Sequence, residues 1–241
     1  MNSSEFSLSP DSGKNKSRFF TFLIAGSLGI VLSAVTLPWI LPGVVQSIAG
    51  ADIKAFWFLS RSMAIISYLL IWLSVVWGLF MTTKISRIWP GHVTTADLHK
   101  YVSILGLSLA ALHGFLLLGD KYMNMSLAQL FVPFAVRAYR PVWVGLGQIA
   151  LYLLALILVS FYIRKFLGQK LWRATHFLSF LTFFAVLIHG LAAGSDTITP
   201  GMFFVYYLTG TVVVFLTFYR IFNALFIKKS GAAPENRSVL G

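Results

Sequence analysis

Six long apolar runs separated by polar stretches dominate the chain, at residues 19–41, 56–81, 98–119, 143–163, 171–193 and 201–225. As α-helix, about 20 residues cover the ~30 Å of hydrocarbon in a bilayer. Apolar side chains run round the whole circumference of each segment and do not alternate, so the pattern predicts membrane-spanning helices and no strands. The fold expected is all-α, a six-transmembrane-helix bundle over residues 18–225, between a disordered polar tail (1–17) and a polar C-terminal tail (226–241). Lys14, Lys16 and Arg18 precede the first run as in a signal peptide. Its apolar stretch exceeds the usual core of about 7–15 residues, so it is expected to be retained. Residues 120–142 predict a long connection holding a short amphipathic helix, and 194–200 a tight turn.

Composition agrees with this picture. Of 241 residues, 58% are hydrophobic and 11% charged, against about 25% charged in a soluble domain. The chain has no cysteine, which excludes disulfides, thiolate-held iron–sulfur clusters, Cys-based zinc sites and covalent c-type haem. The net charge is +12. With the N-terminus inside, fourteen of the 19 Lys and Arg residues fall on the inner side. This positive-inside bias predicts both termini in the cytoplasm and accounts for the basic charge through membrane topology, with lipid and not nucleic acid as partner. Trp57 and Trp143 fall near the outer interface and Trp89 and Trp172 near the inner one, as an aromatic belt does. A bacterial-type plasma membrane is the expected location.

Four of the five histidines change the picture further. His92 lies in the loop before the third apolar run and reads as a solvated residue. His99 and His113 stand near the two ends of the third run, and His176 and His189 near those of the fifth. At 1.5 Å per residue these separations are ~21 Å and ~19.5 Å. Both segments cross in the same direction, so His99 shares the inner depth with His176, and His113 the outer depth with His189. Two b-type haems stacked across a membrane need this arrangement, because each iron takes two axial imidazoles from facing helices. The competing readings are four polar residues bonding between helices and a zinc or copper site. Two imidazoles without carboxylate or thiolate make a poor cage for either ion. On an ideal helix fourteen residues advance by about −40° but thirteen by about −140°. The fifth helix must therefore bend, change its winding or present its two histidines from different flanks.

Arg61 is the other ionisable side chain inside an apolar run, at about the depth of His113 and His189. A cation there needs a partner, either a haem propionate or, by snorkelling, the outer interface. Phe183 and Phe184, midway between His176 and His189, read as packing between two haems or as core or lipid contact. Arg137 and Arg140 attract an anionic acceptor or lipid phosphate.

The phrases LHKYVSILGLSLAALHG and LWRATHFLSFLTFFAVLIHG, with histidines 14 and 13 apart on the third and fifth of six helices, resemble the ferric reductase-like transmembrane domain. That family includes the membrane parts of ferric reductases and NADPH oxidases and a haem subunit of bacterial methionine sulfoxide reductase systems. The resemblance covers about residues 18–225. It implies an inner haem on His99 and His176 and an outer haem on His113 and His189. The Arg of WFLSRSMA, Arg61, is similar to an intramembrane arginine near the outer haem of the oxidases. It also implies electrons passing from a cytoplasmic flavin domain outward to an extracytoplasmic acceptor. Family members continue into FAD and NAD(P)H domains. No Rossmann glycine fingerprint follows a strand here, and VGLGQ at 144–148 lies within a helix. FAD or FMN is therefore expected only on a separate reductase partner. Leu117 stands where NADPH oxidases place a further histidine, which argues against dedicated superoxide production.

The expected function is transmembrane electron transfer through two bis-histidine b haems, from a flavin reductase to a ferric chelate or a periplasmic reductase. Two alternatives stay open. One is a quinol-linked cytochrome b subunit of a respiratory complex, marked by a quinone requirement. The other is a haem or metal transporter, marked by variable occupancy.

Overall fold

A computed structural model of the chain describes residues 55–83 and 91–230. The first apolar run, both outermost tails (1–17 and 231–241), Lys84, Arg87 and Trp89 lie outside the described residues. Among the described residues all regular structure is helical. Five helices are long and apolar enough to cross a membrane. They are α1 (Ala55–Thr83), α2 (His92–Leu116), α3 (Pro141–Tyr162), α4 (Arg164–Ala193) and α5 (Pro200–Ser230).

The helix ends depart from the apolar runs for local reasons. Helix α2 begins at His92, so that residue opens the helix and is not part of the preceding loop. Gly91, at φ 108°, is the N-cap of α2, and Thr95 returns both its N–H (3.0 Å) and its hydroxyl (2.7 Å) to the Gly91 carbonyl. Helix α3 starts with Pro141 at its first turn, where a missing N–H costs nothing. Only Ile163 separates α3 from α4. The turn is completed inside α4 by Gly168, whose φ of 73° and ψ of 158° interrupt the helix. Glycine adopts such angles without a Cβ penalty, so the continuous spanning stretch of α4 starts beyond it. Helix α5 runs on to Ser230, past the expected end at 225.

Helices α3 and α4 pack closely as an antiparallel hairpin. Helices α1 and α2 are also antiparallel and meet along a seam of small residues. Ser67 donates to the Gly106 carbonyl at 2.8 Å, and a Cβ on Gly106 would lie 3.2 Å from Ile71. The buried core joins α1, α4 and α5 through Tyr68, Ile71, Phe183, Leu187, Tyr206 and Val213. In it the Tyr68 hydroxyl hydrogen-bonds to Thr209, and its ring stacks on Phe183 at 6.3 Å. A second cluster, Val76, Leu79 and Leu216, extends the α1–α5 contact. Helix α2 takes little part: 6% of its apolar window is buried, against 17–28% for the other four helices. Among the described residues α2 and α4 make no extended backbone contact. They face each other across a gap bridged by side chains.

Close packing of small residues, and not expulsion of water, holds helices together in lipid. Gly106→Leu is therefore expected to destabilise the protein by about 1–3 kcal/mol through overpacking. Gly201→Ala, with open space around its Cβ position, is expected to stay within ~0.5 kcal/mol. Thermal unfolding in one detergent measures both.

Candidate functional site

The gap between α2 and α4 holds the four intramembrane histidines. Their rings pair as the depth argument expects: His99 with His176, ring centres 6.1 Å apart, and His113 with His189, 6.5 Å apart. Within α4 only Gly168 departs from helical angles, and it precedes His176. The stretch from His176 to His189 is thus regular helix. Its two histidines reach α2 from different flanks, which settles the thirteen-residue tension.

Each ring on α2 is held by a serine of α1. The Nδ1–H of His99 donates to the Ser74 carbonyl at 2.8 Å, with the Ser74 hydroxyl 3.3 Å away. The Ser74 hydroxyl is 2.6 Å from that of Ser103, which in turn donates to the His99 carbonyl at 2.5 Å. One helix end away, the Nδ1–H of His113 donates to the Ser60 carbonyl at 2.9 Å. The Ser60 hydroxyl lies 2.8 Å from the same nitrogen and donates to the His113 carbonyl at 3.0 Å. Ser60, Ser67 and Ser74 recur every seven residues, opposite His113, Gly106 and His99 with the same spacing. A seven-residue repeat keeps one face of a helix on its neighbour, so the serine seam and the two histidines share a single register.

On α4, His189 donates its Nδ1–H to the Trp143 carbonyl of α3 at 2.8 Å. Its ring lies against Gly147, where an added Cβ would come within 2.6 Å of Nδ1. No other residue type leaves room for the imidazole there. His176 is held differently, by the Trp172 ring stacked at 5.5 Å. Among the described residues its ring has no hydrogen-bond partner. The Trp172 indole nitrogen is itself buried without a partner. Three of the four histidines thus carry the proton on Nδ1 and leave Nε2 as the free lone pair, the form in which imidazole binds a metal.

Two imidazoles on opposite sides of one ion, at ~2 Å each, bring their ring centres to a separation of ~6 Å. Both pairs have this spacing. Among the described residues no group of three or more His, Asp or Glu converges. A pair alone suits an ion whose other ligands come from a macrocycle, so the donor set fits haem better than a bare zinc or copper ion.

Arg61 follows Ser60 on α1 and has a partner that sequence reasoning did not supply. Its Nε donates to Asp196 at 2.8 Å, and the two form an ion pair with side chains 27% and 26% exposed. The guanidinium also lies 4.1 Å from the centre of the Trp57 ring. Asp196 sits in the single 3₁₀ turn Ser195–Ile198 between α4 and α5. The same end is tied down by Tyr139, which donates to the Ala193 carbonyl at 2.8 Å, and by Arg140, which bonds the Ala192 carbonyl. Tyr139 and Arg140 thereby satisfy the last two carbonyls of α4, while Arg137 remains exposed. Phe183 is fully buried in the core beside Tyr68, with Phe184 edge-on to it at 5.4 Å. Lys100 and Arg173 are exposed near the His99–His176 pair.

Compared with models of known protein families, with curated proteins and with solved structures, the chain finds no match in any of the three.

Gly147→Leu is expected to push the His189 ring off its seat and destabilise the protein by about 1–3 kcal/mol. Gly78→Ala, whose Cβ would meet His99 at an ordinary 3.5 Å, should stay within ~0.5 kcal/mol. Equal losses in a thermal melt would mean that the glycine is not what seats the ring.

Proposed function

We propose that the chain is a membrane cytochrome b of the ferric reductase-like type, which carries electrons across a bacterial-type plasma membrane through two haem b groups. The observation that carries this reading is the pairing of four histidines at two levels, with ring centres 6.1 and 6.5 Å apart and three Nδ1 protons engaged by backbone carbonyls. In it His99 and His176 would hold the haem at the inner level, and His113 and His189 the haem at the outer level.

Haem, if held between these histidines, would supply one-electron chemistry. The protein's own residues do the rest. Ser74, Ser60 and Trp143 fix the tautomer and orientation of three imidazoles and raise their basicity. The apolar helices exclude water and keep donor and acceptor on opposite faces. Arg61 is the cation at the outer level, shared with Asp196. The electron donor in this reading is a separate cytoplasmic reductase carrying FAD or FMN. The acceptor is a ferric chelate or a periplasmic reductase at the outer face. Backbone bonds that hold the imidazoles rigidly suit a resident group better than cargo in transit.

Reduced-minus-oxidised spectra with haem quantitation on protein purified from membranes test the proposal. Two b-type haems per chain are expected, with His113→Ala and His176→Ala each losing one. Folded protein without haem would overturn the reading, and one haem in the parent would remove the two-step path.

A further inference from the structure

We infer that residues 126–134 form a re-entrant segment, which leaves the end of α2, dips back beside it to the depth of the His113–His189 pair, and presents apolar side chains to the acyl chains of that leaflet. The inference goes beyond the proposed electron transfer and needs only that the helices span a membrane.

The depth follows from what holds the segment. Its short helix, Leu127–Phe131, leaves its last carbonyls without partners of its own. Gln148 of α3 donates through Nε2 to the Gln129 and Leu130 carbonyls, each at 2.7 Å. Tyr152, one turn further along α3, donates to the Phe131 carbonyl. Counted from Pro141, these side chains lie ~10 Å and ~16 Å along the helix, inside the stretch apolar enough to cross the bilayer. Contacts with α2 agree. Leu130 lies 3.1 Å from the Cβ position of Gly114, and the Phe131 ring packs edge-on to Phe115 at 6.1 Å. Phe134, held at φ 66°, lays its ring on Gly145, where any side chain would collide with it.

Backbone at that depth is tolerated only when its polar groups are satisfied within the protein, and Gln148 and Tyr152 do this for the Gln129, Leu130 and Phe131 carbonyls. At the other end of the short helix, Ser126 and Gln129 form a reciprocal capping box: the Gln129 N–H donates to the Ser126 hydroxyl at 3.3 Å, and the Ser126 N–H to Gln129 Oε1 at 3.0 Å. Meanwhile Leu127 (62% exposed), Phe131 (51%), Val132 (53%) and Phe134 (50%) leave half or more of their surface uncovered by protein. Such a patch would be costly in water and is at home in acyl chains. Gln148 and Tyr152 are therefore polar residues on a membrane helix for a reason: they close the carbonyls of a segment that water does not reach. Gly114 follows His113, and Gly147, the seat of His189, lies between Gly145 and Gln148. The segment thus covers the α2–α3 side of that histidine pair against lipid.

The absence of native cysteine makes single-cysteine labelling a direct test. Lys121→Cys and Val132→Cys are made separately and exposed, in open membrane sheets, to a membrane-impermeant maleimide. Although Val132 is more than half exposed in the protein, its cysteine is expected to label at least ~10-fold more slowly than that at Lys121, because lipid covers it. Adding Gln148→Leu and Tyr152→Phe should abolish the protection. Equal labelling of the two single cysteines would overturn the inference. Protection that survives the two added substitutions would overturn the part given to Gln148 and Tyr152. Labelling requires no haem, so its outcome stands apart from that of the proposed function.

Discussion

The hydrogen bond from an imidazole Nδ1–H to a backbone carbonyl on a neighbouring helix is the constraint around which this structure is arranged. An N–H in hydrocarbon is costly to leave unbonded, and the acceptors within reach are mostly carbonyls already serving their own helix. A carbonyl has a second lone pair, so it can take the imidazole as well, but only if the helices come close. Closeness requires small residues at the crossing points. Ser60 and Ser74 meet it on α1, and Gly147 meets it on α3. The same closeness leaves α2 and α4 apart from each other, with paired rings between them.

The two levels are not equivalent. At the His113–His189 level both rings donate to carbonyls, the Arg61–Asp196 pair ties α1 to the turn before α5, and Tyr139 and Arg140 close the end of α4. At the His99–His176 level one ring donates to a carbonyl and the other rests on Trp172. Between the levels the core of α1, α4 and α5 is packed with Tyr68, Phe183 and Tyr206. The bundle is thus tied across helices at its middle and at the His113 end. Within the apolar span Ser67, Gln148 and Tyr152 each donate to a backbone carbonyl on another segment.

The five described spanning helices and the depth pairing of the histidines were legible in the chain. Length of apolar run is a local property, and a titratable residue inside such a run stands out because burying it is expensive. The helix ends were less legible. His92 and Arg164 are polar residues taken into helices, the one after Gly91 with its positive φ and the other ahead of the break at Gly168, which hydropathy does not register. The serine seam left a trace in its seven-residue spacing, and VGLGQ left one in two glycines within a helix. Neither trace says which ring it faces.

By itself the sequence determined that the chain is built of membrane-length helices, and it singled out four histidines at two depths on two of them. Apolar length and the cost of burying an imidazole are written residue by residue. Only the tertiary structure decided that Asp196 is the partner of Arg61, that Ser60, Ser74 and Trp143 orient the rings, that α4 offers its histidines from two flanks, and that residues 126–134 turn back along α2 and α3. Those contacts join residues far apart in the chain, and several of them use backbone carbonyls. Every residue has a carbonyl, so its use as a partner leaves no mark in the sequence.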